Sequence, residues 1–393
     1  MTLLSWLVLD LTGSPWRVAL VGACGFTPTL LLGAIGGLLA DRVDRKRLLM
    51  ATQSLNLGVT VAMTVVLFTD QVEFWHAYVV IFANGTGQAL DFPSRRSIIH
   101  DLMGRAGVTN AFAVDSIGMH SSRMVGPALA GFLITAVDVS GAYIVVSTFH
   151  LITVTLTRFL RLPERRPQSD SIRSQSYARN LAEGFRYVAG QRTILAAVIV
   201  TVLMNLLLFP YQQMVPVIAK NVLTVGPGLM GLLTASEGFG ALIGAVAIAS
   251  AANITHHGRF FLGGSALALV TVLAFAASDS YGLSIPILIV MGLGTSGFGT
   301  MQSTIVILVA REEMRGRSLG VMSLAIGASP LGALLVGGLA STLGPTEAIA
   351  IMGGVGIVSV GTVGVLMPSL RQRITPDEGS PTEIESNDGE PPP

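Results

Sequence analysis

The feature that most constrains this chain is the recurrence of long, nearly uncharged apolar runs. They lie near 16–40, 48–69, 74–93, 110–137, 141–160, 194–220, 228–250, 260–278, 282–309, 318–343 and 346–368. About 20 mostly apolar residues in helical form cross the hydrocarbon core of a bilayer, whereas a spanning strand needs only about ten. A segment without water around it must satisfy its own backbone, so runs of this length read as helices. Composition agrees: 51% of the chain is hydrophobic and 12% is charged, about half the charged share of a water-facing chain. The fold class is therefore all-α and polytopic, with the lipid bilayer as its surroundings. Lys plus Arg (24) and Asp plus Glu (23) nearly cancel, so net charge does not point to nucleic acid. Cys24 is the single cysteine, which leaves no disulfide framework and no Cys-based metal site. There is no Gly-Lys-Ser/Thr phosphate loop, and the histidines lack metal-ligand spacing. The chain does not read as an enzyme, and no cofactor or metal is expected.

The arginines are distributed unevenly. With Met1–Leu11 counted as a first, half-length helix, one face of the membrane receives Arg42, Arg45, Lys46 and Arg47, then Arg95, Arg96 and Arg105, then Arg161, Arg165, Arg166, Arg173, Arg179 and Arg186. Arg259, Arg311, Arg315, Arg371 and Arg373 follow on the same face, and the other holds little beyond Arg17 and Lys220. Lys and Arg concentrate in cytoplasmic loops. This predicts a multi-pass protein of the plasma (inner) membrane, a monomer with both termini and the 161–193 loop in the cytoplasm.

That loop divides the chain into a six-helix half over 1–160 and a second over 194–368, with a disordered acidic, proline-ended cytoplasmic tail over 369–393. The halves show traces of duplication. Leu11-Thr12-Gly13-Ser14-Pro15 is similar to Leu223-Thr224-Val225-Gly226-Pro227, and Arg105, Gly126 and Gly131 match Arg311, Gly332 and Gly337, all about 210 residues apart. By that register the first helix lacks roughly 18 residues at its start, relative to the helix over 194–220. Either the recorded Met1 is internal to a longer chain, or the chain is naturally truncated.

The loop after the second helix reads Gly36-Gly37-Leu38-Leu39-Ala40-Asp41-Arg42-Val43-Asp44-Arg45-Lys46-Arg47. Gly37, Asp41, Arg42, Arg45 and Lys46 resemble the G-x-x-x-D-R-x-G-R-K signature of the major facilitator superfamily, with Asp44 where the signature has Gly. The resemblance implies a twelve-helix major facilitator fold and a cytoplasmic latch, in which Asp41 meets the start of the 318–343 helix and Arg95 or Arg96. Asp115 would join that charge network; a plain positive-inside anchor would explain the cations but not Asp41 and Gly37. Gly118, Gly126, Pro127 and Gly131 resemble the superfamily's antiporter motif, with Ala130 replacing one Gly. That motif implies export, against the simpler reading of a packing face. Asn84-Gly85-Thr86-Gly87-Gln88 stands where classical drug:proton antiporters carry an arginine motif. With Leu11-Thr12-Gly13-Ser14 after the first helix, Asn110-Ala111, Arg123-Met124-Val125-Gly126-Pro127 and Arg315-Gly316-Arg317, the chain resembles most the branch of siderophore (enterobactin-type) exporters and macrolide efflux pumps.

Charge at mid-membrane is costly and needs a reason. Arg123 and Glu237 both fall near the middle of their spans, as candidates for substrate contact and proton coupling. Pro210 and Pro216 interrupt the 194–220 helix; backbone freed at that depth must face protein or a wet cavity. Asn205, Tyr211, Gln212 and Gln213 are therefore substrate-facing candidates. The function expected is secondary transport by alternating access, with proton-coupled efflux of a small amphipathic molecule, drug- or siderophore-like. The partners are that small molecule and protons. A uniporter, importer or lipid flippase of the same fold, or a non-transporting sensor or decayed paralogue, are the alternatives.

Overall fold

A computed structural model describes residues 1–42, 44–160, 177–251 and 255–372. Among them there is no strand. The elements are α1 (Thr2–Thr12), α2 (Pro15–Arg42), α3 (Arg45–Phe68), α4 (Phe74–Phe159), α5 (Tyr177–Gly190), α6 (Arg192–Leu203), a π-helical turn (Met204–Leu208), α7 (Tyr211–Asn221), α8 (Pro227–Ser250), α9 (His257–Ala276), α10 (Tyr281–Val309), α11 (Glu312–Ile326), α12 (Ser329–Leu343), α13 (Pro345–Leu366) and a closing 3-10 turn (Pro368–Arg371). Among the described residues, nine helical stretches are long and apolar enough to cross a membrane. Large apolar side chains point outward along them, including Leu156 at 66%, Val358 at 68% and Leu366 at 72% exposure. A water-soluble chain would bury such side chains; here they form the lipid-facing coat.

The three runs expected over 74–93, 110–137 and 141–160 are joined in one stretch of helical hydrogen bonding, Phe74–Phe159. It is not a straight rod. Thr52 of α3 donates to Asp91, and Lys46, less than two turns earlier, donates to the carbonyls of Arg158 at 2.9 Å and Leu160 at 2.6 Å. Two points of α4 so far apart in sequence meet the same end of α3 only if the chain doubles back twice. One reversal is at Asp138, whose φ is 57°, a left-handed turn that Asp tolerates better than most residues.

The expected single helix over 318–343 is divided into α11 and α12, because Gly327, Ala328 and Pro330 interrupt it. Small residues set how closely the helices approach. Without a hydrophobic drive between helices in lipid, close backbone packing supplies the attraction. A Cβ on Gly292 of α10 would lie 2.2 Å from the Glu237 carbonyl of α8, and Gly264 of α9 abuts Gly294 and Gly297 of α10. Gly292, Gly294 and Gly297 thus pack α10 against both neighbours, α8 and α9. The amphipathic α5, in the 161–193 segment, is tied to α11 by Arg317–Glu183 at 2.7 Å and by the Tyr187 hydroxyl, which accepts from the Arg311 N–H at 3.0 Å.

Candidate functional site

A cavity of about 440 Å³ lies between α1, α2, α4, α7, α8, α10, α11 and α12, within the usual range for small-molecule sites. Arg123, Asn205, Gln212, Gln213 and Glu237 all line it, with Phe26, Phe209, Phe298 and Met230 as apolar wall. Its polar groups are ordered by one another. Gln212 Nε2 donates to Glu237 Oε2 at 3.1 Å. The Thr295 hydroxyl lies 3.3 Å from Glu237 Oε1 and 3.1 Å from the Gly292 carbonyl. Ser329 donates to Asn205 Oδ1 at 2.8 Å, Asn205 Nδ2 to the Thr201 carbonyl at 2.9 Å, and Gln302 Nε2 to the Thr201 hydroxyl at 3.1 Å.

Two local irregularities present these groups. Pro210 has no N–H, and just before it the backbone widens into the π-turn, closed by Phe209 N–H to Met204 O at 3.0 Å. π-turns are rare and concentrate at functional sites. The carbonyls of Asn205 and Leu206 face Gly332 of α12, where a Cβ would lie 2.8 and 2.6 Å from them. The break between α11 and α12 brings Ile326, Ser329 and Ala333 to the cavity wall. Thr295, Gln302 and Ser329 are not among the residues expected from sequence. The signal for Ser329 is the Gly327-Ala328-Ser329-Pro330 breaker; Thr295 and Gln302 give none, since an isolated Thr or Gln in an apolar run is common packing.

Apart from Pro127, the other expected residues are not in the cavity wall as described. Tyr211 is not in the cavity wall: it is buried beside it, with its ring edge-on to Phe275 at 6.4 Å. A helix turn carries Gln212 and Gln213 to other faces than Tyr211. Pro127 lines the cavity. Gly131 meets α8 so closely that its Cβ would lie 2.3 Å from the Pro227 carbonyl, whereas Gly118 and Gly126 face open space. Only Gly131 of these three glycines is needed for packing in this conformation. Of the motif after the second helix, Gly37 and the side chains of Asp41, Arg42 and Arg45 lie outside the described residues, as does that of Arg96. Lys46 satisfies two of the orphan carbonyls at the end of α4, a C-terminal cap. Arg95 Nε is 3.6 Å from Asp115 Oδ1. Asp91, one turn before Arg95, accepts from Thr52 and Gln53; it is a further carboxylate between α3 and α4, beyond those expected from sequence.

Three contacts join helices on the side away from the arginine-rich loops. Lys220 of α7 pairs with Asp10 of α1 at 2.6 Å. Gly337 of α12 lies against Trp16 and Ala19 of α2, and Gly231 of α8 lies against Gly131 and the Pro127 carbonyl of α4.

The family described as transmembrane secretion effector, a class of major facilitator proteins, matches residues 2–380. Macrolide efflux protein A of Streptococcus pyogenes is 23% identical over 85% of this chain and 83% of its own length. The staphyloferrin A transporter of Staphylococcus aureus is 23% identical over 89% of this chain and 87% of its own. Among solved structures, a point mutant of the nucleoside transporter NupG superposes with a TM-score of 0.69 at 15% identity, covering 93% of this chain and 94% of that one, a likeness of fold. The apolar spans, the helical fold and the match along nearly the whole chain lead to one assignment: the chain belongs to the transmembrane secretion effector family of major facilitator transporters, and is a multi-pass membrane transporter rather than an enzyme.

Proposed function

We propose that the chain is a proton-coupled exporter of small amphipathic molecules, working by alternating access between a half over 1–160 and a half over 194–368, with both termini in the cytoplasm. The observation that carries this reading is the setting of Glu237. Gln212 donates to one carboxyl oxygen whether or not the group is protonated. The Thr295 hydroxyl has one proton and two acceptors within reach. It donates to Oε1 when the carboxylate is ionised; when its proton goes to the Gly292 carbonyl, its lone pair accepts from a protonated Glu237. A carboxyl partnered in both forms is suited to load and release a proton during a cycle. The contacts on the far side support a state open toward the arginine-rich face. The relative named for macrolide efflux supports export, as does the antiporter-like Pro127–Gly131 segment, and the relative named as a staphyloferrin A transporter supports a small-molecule cargo. Arg95 and Asp115 would belong to the gate on the arginine-rich side, with Asp41, Arg42, Arg45 and Arg96.

The test is accumulation of a panel of fluorescent and radiolabelled compounds in cells expressing the chain, with a proton-gradient uncoupler as control. Lower accumulation that the uncoupler reverses is the expected result. Export that persists after the gradient collapses would remove proton coupling from the account.

A further inference from the structure

We infer that the cavity takes a zwitterionic amphiphile, with its acid group on Arg123 and its amine on Glu237. The inference rests on the reading of Glu237 as the proton carrier and names the class of cargo for that same site. Arg123 and Glu237 are the ionisable side chains in the cavity wall among the described residues, which Met1 also borders with its terminal amine. They come from different elements, α4 and α8, which touch at this level: a Cβ on Gly238 would lie 3.1 Å from the Arg123 carbonyl. Glu237 has a neutral partner at each oxygen. No ion pair joins it to Arg123 among the described residues. Tyr211, buried behind the wall, is a further titratable side chain that interacts with Glu237 through hydrogen bonding and charge and with Arg123 through charge. The Arg123 side chain is exposed to the cavity, and an uncompensated guanidinium at this depth is costly.

Linkage decides which cargo fits. An anion seated on Arg123 alone binds best when Glu237 is protonated, so anion and proton would travel together instead of exchanging. A simple cation seated on Glu237 displaces the proton but is repelled by Arg123. A zwitterion satisfies both constraints. Its acid group compensates the guanidinium. Its ammonium, which keeps its own proton, takes the ionised carboxylate, and the proton leaving Glu237 passes to water. Each zwitterion bound thus expels one proton, the stoichiometry of exchange. Phe26, Phe209 and Phe298 give its apolar body a surface to lie on.

Three probes with one body separate the classes: Nε-dansyl-lysine (zwitterion), its methyl ester (cation) and its Nα-acetyl derivative (anion). Transport into inverted vesicles under an acid-inside gradient is expected to be at least tenfold faster for the zwitterion than for either relative. In Arg123→Gln the preference should pass to the ester, while Arg123→Lys keeps it with the zwitterion. Wild-type transport of the ester as fast as the zwitterion, or faster acetyl transport, overturns the inference and leaves efflux standing; that comparison decides even if Arg123→Gln fails to fold. If no probe moves, the export reading fails for them, and equilibrium dialysis against the purified chain decides the inference separately. Zwitterion binding at least tenfold tighter than either relative upholds it; equal or absent binding overturns it.

Discussion

A carboxyl group in mid-membrane persists only where its partners suit the charge it carries, and Glu237 has partners for both of its states. Thr295→Val keeps the volume and removes the hydroxyl. Since a hydrogen bond to a charged group is worth about 1.5–3 kcal/mol, transport should fall roughly tenfold or more while the amount of protein in the membrane is unchanged; the check is initial rate against membrane abundance. Lys46 works differently. Its ammonium caps the end of α4 across 112 and 114 residues of sequence, and a cation at a helix C-terminus contributes about 0.3–1 kcal/mol. Lys46→Met should therefore lower the thermal midpoint in detergent by a small but measurable amount, without changing which compounds are exported. Glu237 and Arg123 are legible as candidates because charge in an apolar run is conspicuous. The role of Lys46 is not, because it depends on where a segment more than a hundred residues away comes to rest.

At the scale of elements, α4 and α8 are held together by glycine. A Cβ at Gly231 would lie 2.4 Å from the Pro127 carbonyl and 2.9 Å from the Gly131 Cα, both backbone atoms that cannot swing away. Overpacking of this kind typically costs about 1–3 kcal/mol. Gly231→Ala should weaken the seam and cut transport, whereas Gly126→Ala, facing open space, should be tolerated; parallel transport and thermal-unfolding measurements on the two variants check this. The antiporter-like pattern in the sequence treats Gly118, Gly126 and Gly131 alike and does not say which glycine carries the contact with α8, since that depends on the register of α8. The same limit applies to the helix over 194–220. Pro210 and Pro216 announce an irregular backbone, but its form, a π-turn at Met204–Leu208 facing Gly332, requires the partner helix. Nor does hydropathy distinguish three separate helices over 74–160 from one helical stretch folded back on itself, because both keep the same residues in lipid.

At the scale of the whole molecule, the helical membrane fold is largely legible because each crossing is constrained by the bilayer independently of its neighbours, whereas the eleven full spans expected stand as nine candidate spans among the described residues. The cavity is legible only in part: Asn205, Gln212, Gln213, Arg123 and Glu237 are expected in it, but Thr295, Gln302 and Ser329 reach it through packing. Alternating access makes a prediction at this scale. If the halves rock about the cavity, α1 and α7 must part where Lys220 meets Asp10. Asp10→Cys with Lys220→Cys, in a Cys24→Ser background and bridged by a short bismaleimide, should stop transport, while the unbridged protein stays active. The central claim is tested most directly in proteoliposomes holding a pH-sensitive dye, with an imposed pH gradient and an exported compound, comparing the wild type with Glu237→Gln. The account predicts compound-dependent proton movement in the wild type and none in the variant, with equal amounts of protein reconstituted. Equal proton movement in both, or transport that moves no protons, would contradict it.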